Sequence, residues 1–282
     1  MIGQLWTVAT LELRQAIGGA KILVVVLMLF ALAALAFAVR ALATPPPELG
    51  PEAFWPAIYL LMLNFVFLQT TVILVPLAFA TSLLRNDIDQ GTLVYLWTRP
   101  VPRPTLLLAK FLAASAVSAG LLVVGMGLFC LAFLLPGGDP SGGAFDWLGR
   151  TVDFMAAAVL GAVGYGALFA LFGLVFRRGL IWGIAYGFLS EFVLTNFPAV
   201  VREVTVMHYL RAVALSGVDV RSLGLRFDPE DLAEVERLLG FLDPPSAASA
   251  WATVLLLAGA CLVLSACVVR AREYCAAPAR PE

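Results

Sequence analysis

Charge is what this sequence has least of: 13% of its 282 residues are charged and 61% are hydrophobic, with a mean hydropathy of +0.95. That balance excludes an ordinary soluble enzyme and fits a chain that lies in a bilayer. The net charge of −1 provides no basic surface, so nucleic acid is not expected as a partner. A single histidine, His208, excludes H-E-x-x-H zinc chemistry within the chain and is read as a packing or membrane-surface residue. The only lysines are Lys21, followed by Ile22, and Lys110, followed by Phe111. Neither completes the G-x-x-x-x-G-K-[ST] loop that cradles a nucleotide phosphate, so no catalytic residue, metal or bound cofactor is expected in this chain. Cys130, Cys261, Cys267 and Cys275 form no C-x-x-C and fall in apolar runs or the tail, which makes them packing residues rather than a disulfide or metal site. Aspartyl intramembrane proteolysis needs two carboxylates at membrane depth, and Asp153 sits at the edge of an apolar run.

What the sequence has is long apolar runs. Ile22–Val39 contains no charge and exceeds the roughly 7–15 residues of a signal-peptide core, so it reads as a first span despite the Ala41-Leu42-Ala43 that follows. Six spans are expected, over 22–42, 57–84, 105–135, 153–176, 179–195 and 247–269. The second carries Asn64, Gln69, Thr70, Thr71 and Pro76 inside its apolar run; such groups either join helices by hydrogen bonds or line a path.

In the short fifth span, Gly179, Gly183 and Gly187 recur every four residues, and Glu191 continues the series. A small-residue stripe lets two backbones approach closely, and the fourth span has a similar one in Ala158, Ala162, Gly166 and Ala170. Simple packing of the two stripes explains the glycines but not the carboxylate, which lies about 18 Å along the helix from Gly179 at about 1.5 Å per residue. The stripe is therefore expected to mark a transport path or a dimer seam, with Asn64, Gln69 or Arg202 as neighbours of Glu191.

Between the spans lie polar stretches with helical patterning. Residues 1–20 read as an interfacial helix with Ile2, Leu5, Trp6, Ala9, Leu13 and Ile17 on one side. Residues 87–99 read as a second one: Asp87 and Asp89 near the start, Leu93, Leu96 and Trp97 on one face, Arg99 last and Pro100 as the stop. Residues 196–246 are too polar to span and read as extracytoplasmic or re-entrant short helices. On this layout eleven Lys and Arg share one side: Arg14, Lys21, Arg85, Arg99, Arg103, Lys110, Arg177, Arg178, Arg270, Arg272 and Arg280. The two short loops opposite hold Arg40 and Arg150, which puts both termini and residues 85–110 in the cytoplasm.

The stretch GTLVYLWTRPVPRPTLLLAKFLA, preceded by acidic residues, resembles the loop between the second and third spans of ABC-2 type ABC transporter permeases. The resemblance implies an all-α polytopic membrane protein in which 1–282 form one ABC-2 type transmembrane domain. Its parts would be an N-terminal elbow helix, six spans, a cytoplasmic coupling helix and an extracytoplasmic helical segment between the fifth and sixth. It further implies that Asp89, Gly91, Thr92, Leu93, Leu96, Trp97, Arg99 and Pro100 dock on a separate ABC ATP-binding subunit, which binds ATP and Mg. A second permease copy or a paralogue completes the pathway, in the lipid of a bacterial-type plasma membrane. The function implied is a permease subunit, of an exporter by the commoner direction, that couples ATP hydrolysis to substrate movement. The alternative is a non-transporting membrane subunit that hands force or signal to an extracytoplasmic partner.

Overall fold

A computed structural model describes residues 20–46, 50–81, 103–137, 146–176, 178–189, 205–216 and 245–271. The expected helices over 1–20 and 87–99, residue Glu191 and most of 196–246 lie outside the described residues. Among those described, all regular structure is helical. Helix α1 covers Ala20–Leu42; the second span is built from α2 (Pro51–Leu61), a π-helical segment (Met62–Thr71) and α3 (Val72–Ala80). Then follow α4 (Arg103–Leu134), α5 (Trp147–Val175), α6 (Gly179–Phe188), α7 (Val206–Ala214) and α8 (Ala247–Ala271). Among the described residues five stretches are long and apolar enough to cross a membrane: Lys21–Leu42, Phe54–Ala80, Pro104–Leu134, Trp147–Val175 and Ala247–Ala271.

Two helices start six residues before the spans that hydropathy marks. In α5 the Asp146 carboxylate accepts the Gly149 N–H at 2.9 Å, so the helix opens at Trp147 rather than at 153. Asp153 is then a helical residue, paired with Arg150 one turn earlier at 3.1 Å. In α2 Pro51 occupies the first turn after Gly50, where its missing N–H would be unused anyway, so the helix starts six residues before 57.

Aromatic packing defines one end of the bundle. The Arg40 guanidinium lies 4.0 Å over the Trp55 ring, Trp55 meets Phe133 edge-on at 6.1 Å, and Phe133 is 5.8 Å from Trp147. The end of α1, the start of α2, the end of α4 and the start of α5 therefore converge, and we call this the tryptophan end. Tyr59 stands at its centre, 5.0 Å from Phe133 and 5.2 Å from Trp147. Its hydroxyl is 2.7 Å from Thr151 Oγ1. Because the Thr151 hydroxyl donates to the Trp147 carbonyl at 2.6 Å, the Tyr59 O–H is the donor between the two. At the opposite end Leu106 and Leu107 of α4, Leu174 of α5 and Val269 of α8 form a separate apolar cluster, the leucine end.

These contacts fix directions. Val254 lies against Gly164, and Val269 shares a cluster with Leu174, so α5 and α8 run the same way, from the tryptophan end to the leucine end. The chain between them returns in two short pieces packed on α5. Helix α6 starts at the leucine end with Gly179 against the Gly173 backbone, and continues with Gly183 beside Phe169. Helix α7 takes up the other half: Val206 lies near Gly164, Leu210 against Gly161, and the Ser216 carbonyl accepts from Arg150 Nη1 at 3.2 Å near the tryptophan end. With 10 and 9 residues, they are each about half as long as a hydrocarbon core of about 30 Å is thick.

Candidate functional site

The second span is wound in the i→i+5 pattern for 10 residues, MLNFVFLQTT, where a single turn is the usual extent. Pro76 helps to end it: it has no N–H to offer the carbonyl of Thr71, so that ladder cannot pass it. The wider winding shows in what faces outward. Leu61, Phe65, Thr70 and Leu74 are exposed, at spacings of four, five and four residues, instead of the three and four of an α-helix.

That winding sets the polar residues of the span. Asn64 and Gln69 lie five residues apart, one π turn. Gln69 is half-buried, and its Oε1 accepts a hydrogen bond from Arg211 Nη2 of α7 at 3.2 Å, joining residues 142 apart in sequence. The Arg211 Cζ also lies 5.7 Å from the centre of the Phe65 ring. Arg211 is buried, and Leu210 beside it rests on Gly161, near the middle of α5, so the guanidinium sits at membrane depth. A cation there is costly unless it is held by dipoles, an aromatic face or a counter-charge. Asn64 is fully buried with neither its amide nitrogen nor its oxygen hydrogen-bonded, and the Thr71 hydroxyl is likewise buried without a partner. The Ser115 and Ser265 hydroxyls share this condition on α4 and α8.

Helix α7 is itself well formed at its start, where the Thr205 side chain accepts the His208 N–H at 3.4 Å. His208 thus belongs to a helix packed between α5 and α8, with its ring 5.4 Å from that of Tyr209. The polar layer offers hydrogen-bond donors and acceptors and one fixed cation, which suits recognition of polar or anionic groups. Among the described residues no group of three or more His, Cys, Asp or Glu is placed to hold a metal.

The sequence singles out Asn64 and Gln69, and the structure puts both at this layer. It turns Gly179, Gly183 and Gly187 into the chain: a Cβ on Gly179 would come within 2.6 Å of the Gly173 Cα, one on Gly183 would strike Leu77, and one on Gly187 would lie 3.1 Å from Ile73. The glycine face is thus taken up by α5 and the second span, and the face α6 leaves open is Leu180, Ile181, Trp182, Ile184, Phe188 and Leu189. On α5, Gly166 of the small stripe faces Ser115 and Phe111 of α4, and it is Gly173 with Phe169 that meets α6. Glu191 and the residues expected to dock on an ATP-binding subunit, Asp89, Gly91, Thr92, Leu93, Leu96, Trp97, Arg99 and Pro100, lie outside the described residues. Sequence reasoning missed Arg211. Its available signal was a cation in a mostly apolar nine-residue stretch, VMHYLRAVA, between Thr205 as a cap and Gly217.

No curated protein matches the chain. A family profile described as ABC-2 family transporter protein matches residues 19–193, which takes in α1 to α6. That match extends over more than half the length, and with the five membrane-crossing helices it makes the chain a multi-pass membrane permease component that belongs to the ABC-2 transporter family.

Proposed function

We propose that the chain is the membrane-spanning subunit of an ATP-driven exporter, working with a second copy or a paralogue and with separate subunits that bind ATP and Mg. ABC-2 permeases generally partner with an ATP-binding subunit, and residues 87–99, with Leu93, Leu96 and Trp97 on one face, are assigned to that contact. The observation that carries a transport role is the polar layer: Arg211, Gln69, Asn64 and Thr71 at membrane depth, where polar groups are costly unless they have a use. Because α5 and α8 run in the same direction, α6 and α7 are read as the two halves of a broken fifth crossing, six crossings in all. Broken helices place their inner ends at the depth where transporters handle cargo. The positive-residue tally puts the leucine end and both termini in the cytoplasm of a bacterial-type plasma membrane.

The test is to purify the complex through this chain and to follow ATP hydrolysis against a panel of cargoes. An ATP-binding subunit should co-purify, and one cargo class should stimulate hydrolysis. Trp97→Ala should leave the chain inserted but weaken assembly by a few kcal/mol, as loss of a buried interface aromatic does. Glu191→Gln should leave assembly intact and alter cargo stimulation. Undiminished co-purification and coupled turnover in both variants would remove these assignments.

A further inference from the structure

The π segment buries a threonine whose hydroxyl makes no hydrogen bond, whereas three other threonines of the described residues are satisfied by the carbonyl of their own preceding turn. Thr81, Thr151 and Thr253 each donate a hydroxyl hydrogen bond to the carbonyl four residues back, to Leu77 at 2.7 Å, Trp147 at 2.6 Å and Ser249 at 2.9 Å. Thr71, buried in the π segment, makes no such bond to Phe67. Wound as an α-helix it would have that acceptor in reach. The π winding in turn brings Gln69 one turn beyond Asn64, where it meets Arg211. We propose that Met62–Thr71 is a two-state segment that exchanges π for α winding, with the Gln69–Arg211 hydrogen bond as the latch that holds the π state.

The two states present different side chains to the lipid. In the π state Thr70 faces outward and Leu68 is fully buried. Counted from Leu61 in α winding, at about 100° per residue, Thr70 falls about 180° away and Leu68 comes within about 20° of the outward direction. Residues before Leu61 stay fixed, because Tyr59 is pinned among Phe133, Trp147 and the Thr151 hydroxyl. The turning therefore falls on the π segment and α3, and it moves Val72, Leu77 and Ile73 from their places against Gly161, Gly183 and Gly187. Rewinding swings Gln69 off Arg211 and so separates the second span from α7. Movement at Thr81, from which the chain leads into residues 87–99, is in this way tied to the half-helix that bears Arg211. The use of the switch in transport rests on the function proposed above; the change of winding does not.

The experiment reads the winding directly. Spin labels are placed at Thr70→Cys or Leu68→Cys in the full chain with its four cysteines replaced by alanine, in lipid nanodiscs, and their accessibility to molecular oxygen is measured. With Gln69 intact, position 70 should be accessible and position 68 shielded. Gln69→Leu removes the acceptor of a charged donor and should shift the ratio of the two states toward α by about tenfold or more, with accessibility lost at 70 and gained at 68. Gln69→Glu gives Arg211 a charged acceptor and should keep the original order. If Gln69→Leu does not insert, Arg211→Gln breaks the same bond from α7 and gives the same reading. An unchanged order of accessibility in an inserted, monodisperse latch-breaking variant overturns the proposal, and it does so whether or not an ATP-binding subunit assembles with the chain.

Discussion

The two halves of the second span lie in one apolar run and behave as opposites. Around Tyr59 the backbone is α-helical, the rings of Phe133 and Trp147 enclose the side chain, and its hydroxyl reaches Thr151 at 2.7 Å. One turn further on, the backbone turns to π winding, and Asn64 and Thr71 are buried with no hydrogen bond. A buried polar group that is paired anchors a helix, whereas one that is unpaired costs about 1–3 kcal/mol and leaves another arrangement nearly as good. In this span the tryptophan end is built to hold still and the middle is built to change.

The strongest way to break that comparison is to remove the anchor. Tyr59→Ala empties a fully buried aromatic site and should cost roughly 3–5 kcal/mol, measured as a large fall in the thermal unfolding midpoint of the detergent-purified chain. Tyr59→Phe keeps the ring and removes only the hydroxyl with its hydrogen bonding, so its cost should be about 1 kcal/mol. If the two variants are equally unstable, the hydroxyl and not the ring carries the anchor.

The second test acts on the latch. Arg211→Met keeps length and apolar bulk, removes the charge, and leaves Gln69 without the 3.2 Å donor. Losing a hydrogen bond to a charged group is worth about 1.5–3 kcal/mol, but removing a cation from membrane depth returns much of it, so the unfolding midpoint should move little. Cargo-stimulated ATP hydrolysis should instead fall by about tenfold or more. A variant that is much less stable, with its remaining folded fraction fully active, would make Arg211 a structural strut.

Much of this was legible before any coordinates. Hydropathy finds each of the five long crossing helices, because every one must present some 20 apolar residues to lipid regardless of its neighbours. It places helix starts poorly: Asp146 is an N-cap hidden in a loop with other acids, and Pro51 opens a helix in a stretch that three earlier prolines make look like loop. Asn64 and Gln69 were visible as polar residues in an apolar run. Their relation was not, since periodicity reasoning assumes 3.6 residues per turn and only a π turn brings residues five apart together. Arg211 was beyond reach for a different reason: its partner is 142 residues away, and pairing across that distance is a property of packing, not of local pattern. The α6 glycines stand out in the sequence as a small-residue stripe, while the surfaces they approach, at Gly173, Leu77 and Ile73, come only from the structure.

The smallest expected effect is the most discriminating. Asn64→Leu replaces a fully buried amide that makes no hydrogen bond with an apolar side chain of similar volume. In an ordinary core such a site would be paired and the change would be destabilising by the cost of the orphaned partner. Here no partner exists to be orphaned, and the surroundings lose only an unsatisfied donor and acceptor. The unfolding midpoint should therefore stay within error or rise slightly, by the equivalent of about 0–1 kcal/mol. Transport should nevertheless decline, because Asn64 and Thr71 lie seven residues apart and share a face only in α winding, the state in which their polar groups line up along one stripe. A gain in stability joined to a loss of turnover is the signature of a polar group retained for a second conformation. A clear loss of stability would mean that Asn64 is satisfied in the resting state after all, and the contrast between the two halves of the span would then rest on Thr71 alone.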